Sequence, residues 1–321
     1  MLTLKVEDLR TYYKIQRGYV KAVDGVSFGV EKGQALGLVG ESGCGKTTIA
    51  TSLIRVLASN AMIVGGHILF KDLDIVKLTE AELKEEVRWK GISLVFQGAM
   101  NAMNPVIKVS DQIIEAIQLH EPNVEKQEAL ERAGKLFQLV GIDPSRLEHY
   151  AFEFSGGMRQ RAMIAMALSC NPEIMIADEP STALDVIVQA QVLQLLRQLK
   201  ERLNLSLIII SHDLSIIAET CERAAVMYGG KFAETGDIYA VFKNPLHPYT
   251  QGLLGAFPGV KAPKTRLISI PGSPPDLLNA PVGCKFAERC KFAMPICRDF
   301  DPDLIEVEKD HWVACHLHNK K

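Results

Sequence analysis

Residues Gly40-Glu41-Ser42-Gly43-Cys44-Gly45-Lys46-Thr47 have the spacing G-x-x-x-x-G-K-T, which suits the phosphates of a nucleoside triphosphate. Glycines let the backbone wrap closely around an anion, and a helix opening just after them turns its free N–H groups and positive dipole end on the same spot. Lys46 can reach the terminal phosphates and the Thr47 hydroxyl can hold Mg²⁺. Thr48 begins the helix and joins Gly40, Ser42, Gly43, Cys44 and Gly45 as a nucleotide-contacting residue. A second cluster, Ile174-Met175-Ile176-Ala177-Asp178-Glu179, has the pattern of a buried strand ending in two carboxylates. Asp178 is placed to hold Mg²⁺, and Glu179 suits a general base that polarises an attacking water. Apolar runs ending in Asp-Glu are common at strand ends. Paired with a phosphate loop, this one points to hydrolysis of a nucleoside triphosphate.

These groups need elements to hold them. The apolar run Ala35–Val39 predicts a strand feeding the loop, and Thr48 to Leu57 predicts the helix after it. Ala22 to Val30 and His67 to Phe70 read as strands, with Gly65-Gly66 as a turn. Residues 98–170 read mainly as helices: Leu130, Ala133, Phe137 and Val140 recur at helical spacing and Gly141 is a helix stop. From 171 to 240 the chain alternates again, with a strand at 174–178, a helix at 186–203, a strand at 205–210 and a helix near 214–220. Val192, Leu195, Leu196, Leu199 and Leu203 form the expected buried stripe of the long helix. Alternating strands and helices imply an α/β fold with a mostly parallel sheet.

The chain has 321 residues, 47% of them hydrophobic, and a net charge of −2, which suits a globular protein with room for two domains. This balance gives no electrostatic reason to expect nucleic acid as a partner. The N-terminus carries charges where a secretory signal would be apolar, and no apolar run reaches about 18 residues. The expectation is a cytosolic chain that meets a membrane only through partners.

Between the two chemical clusters lies Phe154-Ser155-Gly156-Gly157-Met158-Arg159-Gln160-Arg161. A Ser-Gly-Gly helix start can bind an anion, or can be an ordinary serine cap. With this segment in place the chain resembles the ATPase subunits of ATP-binding cassette (ABC) transporters, built on the phosphate-loop NTPase fold with a helical subdomain. The family's L-S-G-G-Q signature is matched here at its Ser-Gly-Gly core, with Phe154 and Met158 at its ends. The resemblance implies that Ser155, Gly156, Gly157 and Met158 close on the ATP held by a second ATPase subunit. It further implies that Gln97, after the strand-like Ile92–Phe96, touches Mg²⁺ or the attacking water. Ser181-Thr182-Ala183-Leu184-Asp185 resembles the D-loop at the subunit interface, with Ser181, Ala183, Leu184 and Asp185 as its contacts. His212, after the strand Leu207–Ser211, resembles the switch histidine on the γ-phosphate. Tyr13, with Tyr12 close behind, is the candidate for stacking on adenine.

After Phe242 the composition changes. Asn244-Pro245-Leu246-His247-Pro248-Tyr249-Thr250 precedes a short apolar helix, Gln251 to Ala256, and a Pro-rich stretch from Pro258 to Pro281. Four of the seven cysteines follow, Cys284, Cys290, Cys297 and Cys315, spaced C-x5-C-x6-C-x17-C. In a cytosolic chain, metal comes before disulfide. Zinc sites favour tight C-x2–4-C pairs, absent here, and the wider spacing suits a bulkier iron–sulfur cluster. His311, His316 and His318 keep zinc open. The segment resembles the C-terminal extension of the dipeptide/oligopeptide (peptide/nickel) importer ATPases, including their H-P-Y-T-Q element at 247–251, and some of those carry a [4Fe–4S] cluster.

The expected organisation is an ABC nucleotide-binding domain over 1–240, with its helical subdomain at about 98–170, and a Cys-rich extension over 241–321. The resemblance implies an ATPase that uses Mg²⁺ and powers an importer of peptides or oligosaccharides. Its expected partners are a second, paralogous ATPase subunit, two transmembrane permease subunits and, indirectly, an extracytoplasmic solute-binding protein. The expected location is the cytoplasmic face of the cell membrane. The competing readings are a soluble ABC ATPase of repair or translation, and a regulatory nucleotide-binding module. Repair members insert long coiled coils and translation members fuse two cassettes, and neither feature is present.

Overall fold

The structure is a computed structural model and describes residues 2–98, 102–256 and 270–319. In chain order the elements are β1 (Leu2–Ile15), β2 (Gly18–Glu31), β3 (Ala35–Val39), α1 (Lys46–Leu53), β4 (Ala61–Phe70), β5 (Leu73–Asp74), α2 (Glu80–Glu82), β6 (Ile92–Val95), α3 (Val109–His120) and α4 (Lys126–Leu139). They continue with α5 (Gly156–Ala167), β7 (Ile174–Asp178), α6 (Val186–Leu203), β8 (Ser206–Ser211), α7 (Leu214–Thr220), β9 (Arg223–Tyr228), β10 (Lys231–Asp237), α8 (Ile238–Lys243), α9 (Pro248–Gly255), α10 (Ile296–Asp299), β11 (Ile305–Glu308) and β12 (His311–Val313).

The chain divides into two compact units. The first comprises residues 1–4, 30–34 and 69–210. Here β6, β7 and β8 run parallel, with Val95 opposite Ala177 and Ala177 opposite Ile209. β7 is buried at every residue, which is why its sequence is a continuous apolar run with no alternation. Helices α3, α4 and α5 make up the helical subdomain, with Ile113, Ile117, Ala133, Phe137 and Ile164 buried. On α4 the buried face is Ala129, Ala133, Leu136 and Phe137, so Leu130 sits at its margin.

Long α6 begins on Asp185, whose side chain accepts from the N–H groups of Ile187 and Val188, both at 3.0 Å. It buries Val192, Leu195, Leu196 and Leu199 as expected, and Leu193 besides. Leu203 is 46% exposed, because the helix ends there at left-handed Asn204 and its last turn leaves the core.

The second unit comprises residues 5–29, 35–68 and 211–321. In it β3 runs parallel to β9, β10 pairs antiparallel with β9, and β12 adds antiparallel to β10 with β11 at its side. Long strands β1 and β2 lie side by side, with β4 on the far flank of β1. The pair Gly65-Gly66 lies inside β4 and makes no turn. Gly66 adopts φ +87° where a side chain would meet the Asp8 carbonyl, so the glycine serves a close backbone approach. Helix α1 stops at Leu53, before the expected Leu57, because Arg55 turns to φ +49°. α5 likewise ends at Ala167, and α9 starts at Pro248, where proline suits the first helical turn. Of the Pro-rich stretch, residues 258–269 lie outside the described residues. No helix among the described residues is long and apolar enough to cross a membrane.

Candidate nucleotide site

In the second unit, buried β3 delivers the chain into the loop at Gly40. Gly40, Gly43 and Gly45 take φ values of +154°, +79° and +110°, a backbone region that favours glycine. At Gly40 a side chain would strike the Met227 carbonyl, and at Gly45 the Ala22 carbonyl. The loop's shape is thus written into its glycines. Helix α1 opens at Lys46, which is 6% exposed and donates to the carbonyls of Gly40 (2.7 Å) and Glu41 (3.0 Å). A lysine anchored this way is already aimed into the loop. Thr47 is exposed at the helix start and Thr48 is buried behind it.

The Cys44 thiol is buried, and burial pushes its pKa up, so it behaves as a small packing residue. Tyr13 and Tyr12 part company: the Tyr13 hydroxyl lies 3.2 Å from Thr48 Oγ1, whereas the Tyr12 hydroxyl donates to Asp24 at 2.6 Å. Alternation along β1 puts Tyr13 on the face of the phosphate-loop helix and Tyr12 on the other. His212 is exposed just past β8, and the next residue, Asp213, caps α7 by accepting from the Ser215 N–H at 2.8 Å.

In the first unit, Asp178 ends β7 and is buried. Glu179 follows at φ +51°, a left-handed turn that takes its carboxylate off the strand line. The Thr182 hydroxyl donates to Glu179 Oε2 at 2.7 Å, and the Glu179 N–H donates to the Ile210 carbonyl at 2.9 Å. Thr182 is a functional candidate that sequence reasoning passed over, although a threonine three residues on in a turn is a known local partner. Ser181 is buried, Ala183 takes φ +65°, and the Leu184 N–H donates to the Ser181 carbonyl, so residues 179–185 form one folded-back segment. Gln97 is exposed two residues past Val95, the same offset at which Glu179 follows Ala177, so both leave the same end of a parallel strand pair.

Ser155 caps α5, its hydroxyl accepting from the Met158 N–H at 3.3 Å. A Cβ on Gly157 would strike Val188 of α6, so this helix start is pressed against the segment that follows the D-loop-like turn.

Cys297 and Cys315 are buried, Cys284 and Cys290 half-buried. The Cys284 N–H donates to the Cys297 carbonyl at 2.8 Å, and the Met294 N–H points at Cys297 Sγ. Burial pushes the Cys284 thiol up to about 11, and Cys297 and Cys315 push the same way. Cys290 and Cys315 are raised too, by burial first and then by neighbouring thiols. No three His, Cys, Asp or Glu side chains among the described residues converge on one ion. The histidines that left zinc open are engaged elsewhere: His311 Nε2 lies 2.7 Å from Glu234, His316 Nε2 on the Phe300 carbonyl and His318 Nε2 on the Leu246 carbonyl.

Comparison with known proteins agrees with this layout. Residues 23–182 match the family described as ABC transporter, and residues 233–297 match the oligopeptide/dipeptide transporter C-terminal region. A probable peptide ABC transporter ATP-binding protein of Sinorhizobium fredii is 46% identical over 99% of this chain and 96% of its own. The dipeptide transport ATP-binding protein DppD of Caldanaerobacter subterraneus is 40% identical over 99% and 98%, and the oligopeptide transport ATP-binding protein OppD of Escherichia coli 44% over 97% and 92%. Among solved structures, the dimeric ATP-binding cassette MJ0796 bound to ADP and phosphate superposes with a TM-score of 0.65 at 24% identity, covering 73% of this chain and 98% of that one.

A phosphate-loop α/β fold, a Ser-Gly-Gly helix start and full-length relatives together define the class: the chain belongs to the ABC transporter family of ATP-binding proteins, and it is an ATPase. Within the family it falls in the dipeptide/oligopeptide branch, whose C-terminal region it carries.

Proposed function

We propose that the chain powers an importer of peptides, with oligosaccharides the second candidate, from the cytoplasmic face of the cell membrane. It would work with a second, paralogous ATPase subunit and two permease subunits, fed by an extracytoplasmic solute-binding protein. The observation that carries the reading is the full-length match, extension included, to relatives named for dipeptide and oligopeptide transport. Two exposed apolar surfaces support the partners. Val186 and Ile187, 82% and 73% exposed, flank the D-loop-like turn, and Val106 and Phe152 stand out from the helical subdomain.

In this reading Tyr13 stacks on adenine, and the N–H groups and Lys46 of the loop hold the phosphates. The Thr47 hydroxyl, Asp178 and Gln97 would hold Mg²⁺, which would supply neutralisation of charge on the phosphates. Glu179, steadied by Thr182, takes the proton of the attacking water, and His212 contacts the γ-phosphate. Ser155, Gly156, Gly157 and Met158 complete the ATP site of the other ATPase subunit. Binding draws the two ATPase subunits together and hydrolysis releases them, a ligand-driven population shift.

The test is reconstitution with permeases and binding protein in vesicles. Peptide-loaded binding protein is expected to stimulate ATP hydrolysis several-fold, with peptide accumulating inside. No stimulation by peptide or oligosaccharide would overturn the import reading.

We further propose that Cys284, Cys290, Cys297 and Cys315 hold a [4Fe–4S] cluster. What supports the reading is four thiols within one short segment, largely withdrawn from solvent and spaced more widely than the tight pairs zinc favours. Such a cluster would supply a redox-active crosslink within the extension. Protein purified without oxygen is expected to contain about four iron and four sulfide per chain. An iron-free preparation with all four thiols open to alkylation would overturn this.

A further inference from the structure

The phosphate loop is held from outside by the C-terminal extension. Arg289 donates from Nη1 to Glu41 Oε2 at 2.7 Å and from Nη2 to Glu41 Oε1 at 2.9 Å, a two-point fork on the second residue of the loop. The Glu41 backbone N–H donates to the Tyr249 hydroxyl at 3.0 Å. One loop residue is therefore fixed through both its side chain and its main chain. The same residue's carbonyl, with that of Gly40, receives the Lys46 ammonium.

Arg289 is itself immobilised. Its side chain is 6% exposed, its Nε donates to the Pro271 carbonyl at 2.8 Å and its Nη1 also reaches the Tyr228 hydroxyl at 3.1 Å. Its guanidinium lies over the rings of Tyr228 and Phe286, 5.6 and 6.0 Å from their centroids. Tyr249 is fully buried, its ring 4.5 Å from that of Tyr228 and 5.4 Å from that of Phe286. A planar guanidinium held this way keeps a carboxylate in one orientation, as a lysine point charge cannot. A loop whose N–H groups are already aimed gives up less ordering free energy when a triphosphate arrives.

We propose that Arg289 and Tyr249 are positioning residues for nucleotide binding, a latch through which the extension sets the affinity of the phosphate loop. The proposal rests on the reading of residues 40–47 as the nucleotide site. Because Arg289 directly precedes Cys290, the latch ends inside the four-cysteine segment.

The test is calorimetric titration of the full-length protein with MgADP, together with KM and kcat for ATP and a thermal midpoint for each variant. Arg289→Gln is expected to weaken MgADP by about 10-fold, the scale of losing a charge-assisted hydrogen-bonded pair, and to raise KM for ATP with kcat little changed. Arg289→Lys should recover part of the loss. Glu41→Gln should match Arg289→Gln, and the double variant should be no worse than either, since both remove one interaction.

Tyr249→Phe removes one hydroxyl from an intact core and should weaken binding about 3-fold, within the range of a single neutral hydrogen bond. It decides the matter if Arg289→Gln does not fold. Affinity within two-fold of wild type in the folded variants, whatever their thermal midpoints, would overturn the latch and leave a purely structural contact. Failure of the wild-type chain to bind MgADP would instead count against the nucleotide site itself.

Discussion

Glu179 is held in a conformation that side chains rarely adopt, φ +51°, with the Thr182 hydroxyl on its carboxylate at 2.7 Å. Strain of this kind costs on the order of 1–3 kcal/mol and persists where the surroundings enforce it. It turns the proposed general base off the end of β7 and leaves it one steady orientation. Glu179→Gln should lower kcat by about 10²-fold or more, the usual worth of a general base, while leaving MgATP affinity within a few-fold. Hydrolysis near the wild-type rate would remove Glu179 from the role. Thr182→Ala frees the carboxylate without deleting it. Its kcat should fall by roughly 5- to 10-fold with KM unchanged, since the group lost acts through Glu179 and not on bound nucleotide. A change confined to KM would mean that Thr182 serves the nucleotide directly.

At the start of α9, His247 plays the part of a cap, its Nδ1 accepting from the Tyr249 N–H at 2.9 Å. An imidazole that accepts there is neutral, and burial pushes its pKa down to about 4. His318 pushes the same way and Glu234 opposes. Unfolded, the same side chain titrates near its ordinary value of about 6.5. Below that pH the unfolded chain gains a proton that the folded chain refuses. The contribution is thus complete above about pH 6.5 and is lost progressively down to about pH 4, roughly 3 kcal/mol in all. Thermal unfolding of wild type and His247→Asn across this window should show the wild type losing its advantage as pH falls. Parallel curves would place His247's protonation outside the balance.

This element also shows what was legible beforehand. The loop glycines, β3, β7, α6 and α7 could be read because local chemistry dictates them: positive-φ turns, a fully buried strand, an Asp cap. The composition break after Phe242 marked the extension. Its buried contacts stayed hidden, because Tyr249 meets Glu41 across 208 residues and Arg289 meets it across 248, and no periodicity reports such pairs. The Gly65-Gly66 pair misled for the converse reason: the glycine signal was real, but a close backbone approach inside β4 uses it as readily as a turn.

Over the whole chain, the exposed Val186 and Ile187 beside residues 181–185 are apolar surface of the kind that a second ATPase subunit would cover. The proposed composite site predicts association driven by nucleotide. Glu179→Gln protein with its companion ATPase subunit should run as a two-subunit species on size exclusion in MgATP and separate in ADP. A single-subunit species under both conditions would argue against ATP as the adhesive.

The pairing of β12 with β10, Glu234 opposite Val313 and Gly236 opposite His311, bears on any attempt to shorten the chain. Cutting at residue 240 would strip β10 of its neighbour and bare a row of unsatisfied peptide groups, while Glu234, wholly enclosed, would lose His311. Such a fragment should precipitate or form strand-to-strand oligomers even with its catalytic motifs intact. What looks along the sequence like a removable tail is the hem that keeps this sheet from unravelling into its neighbours.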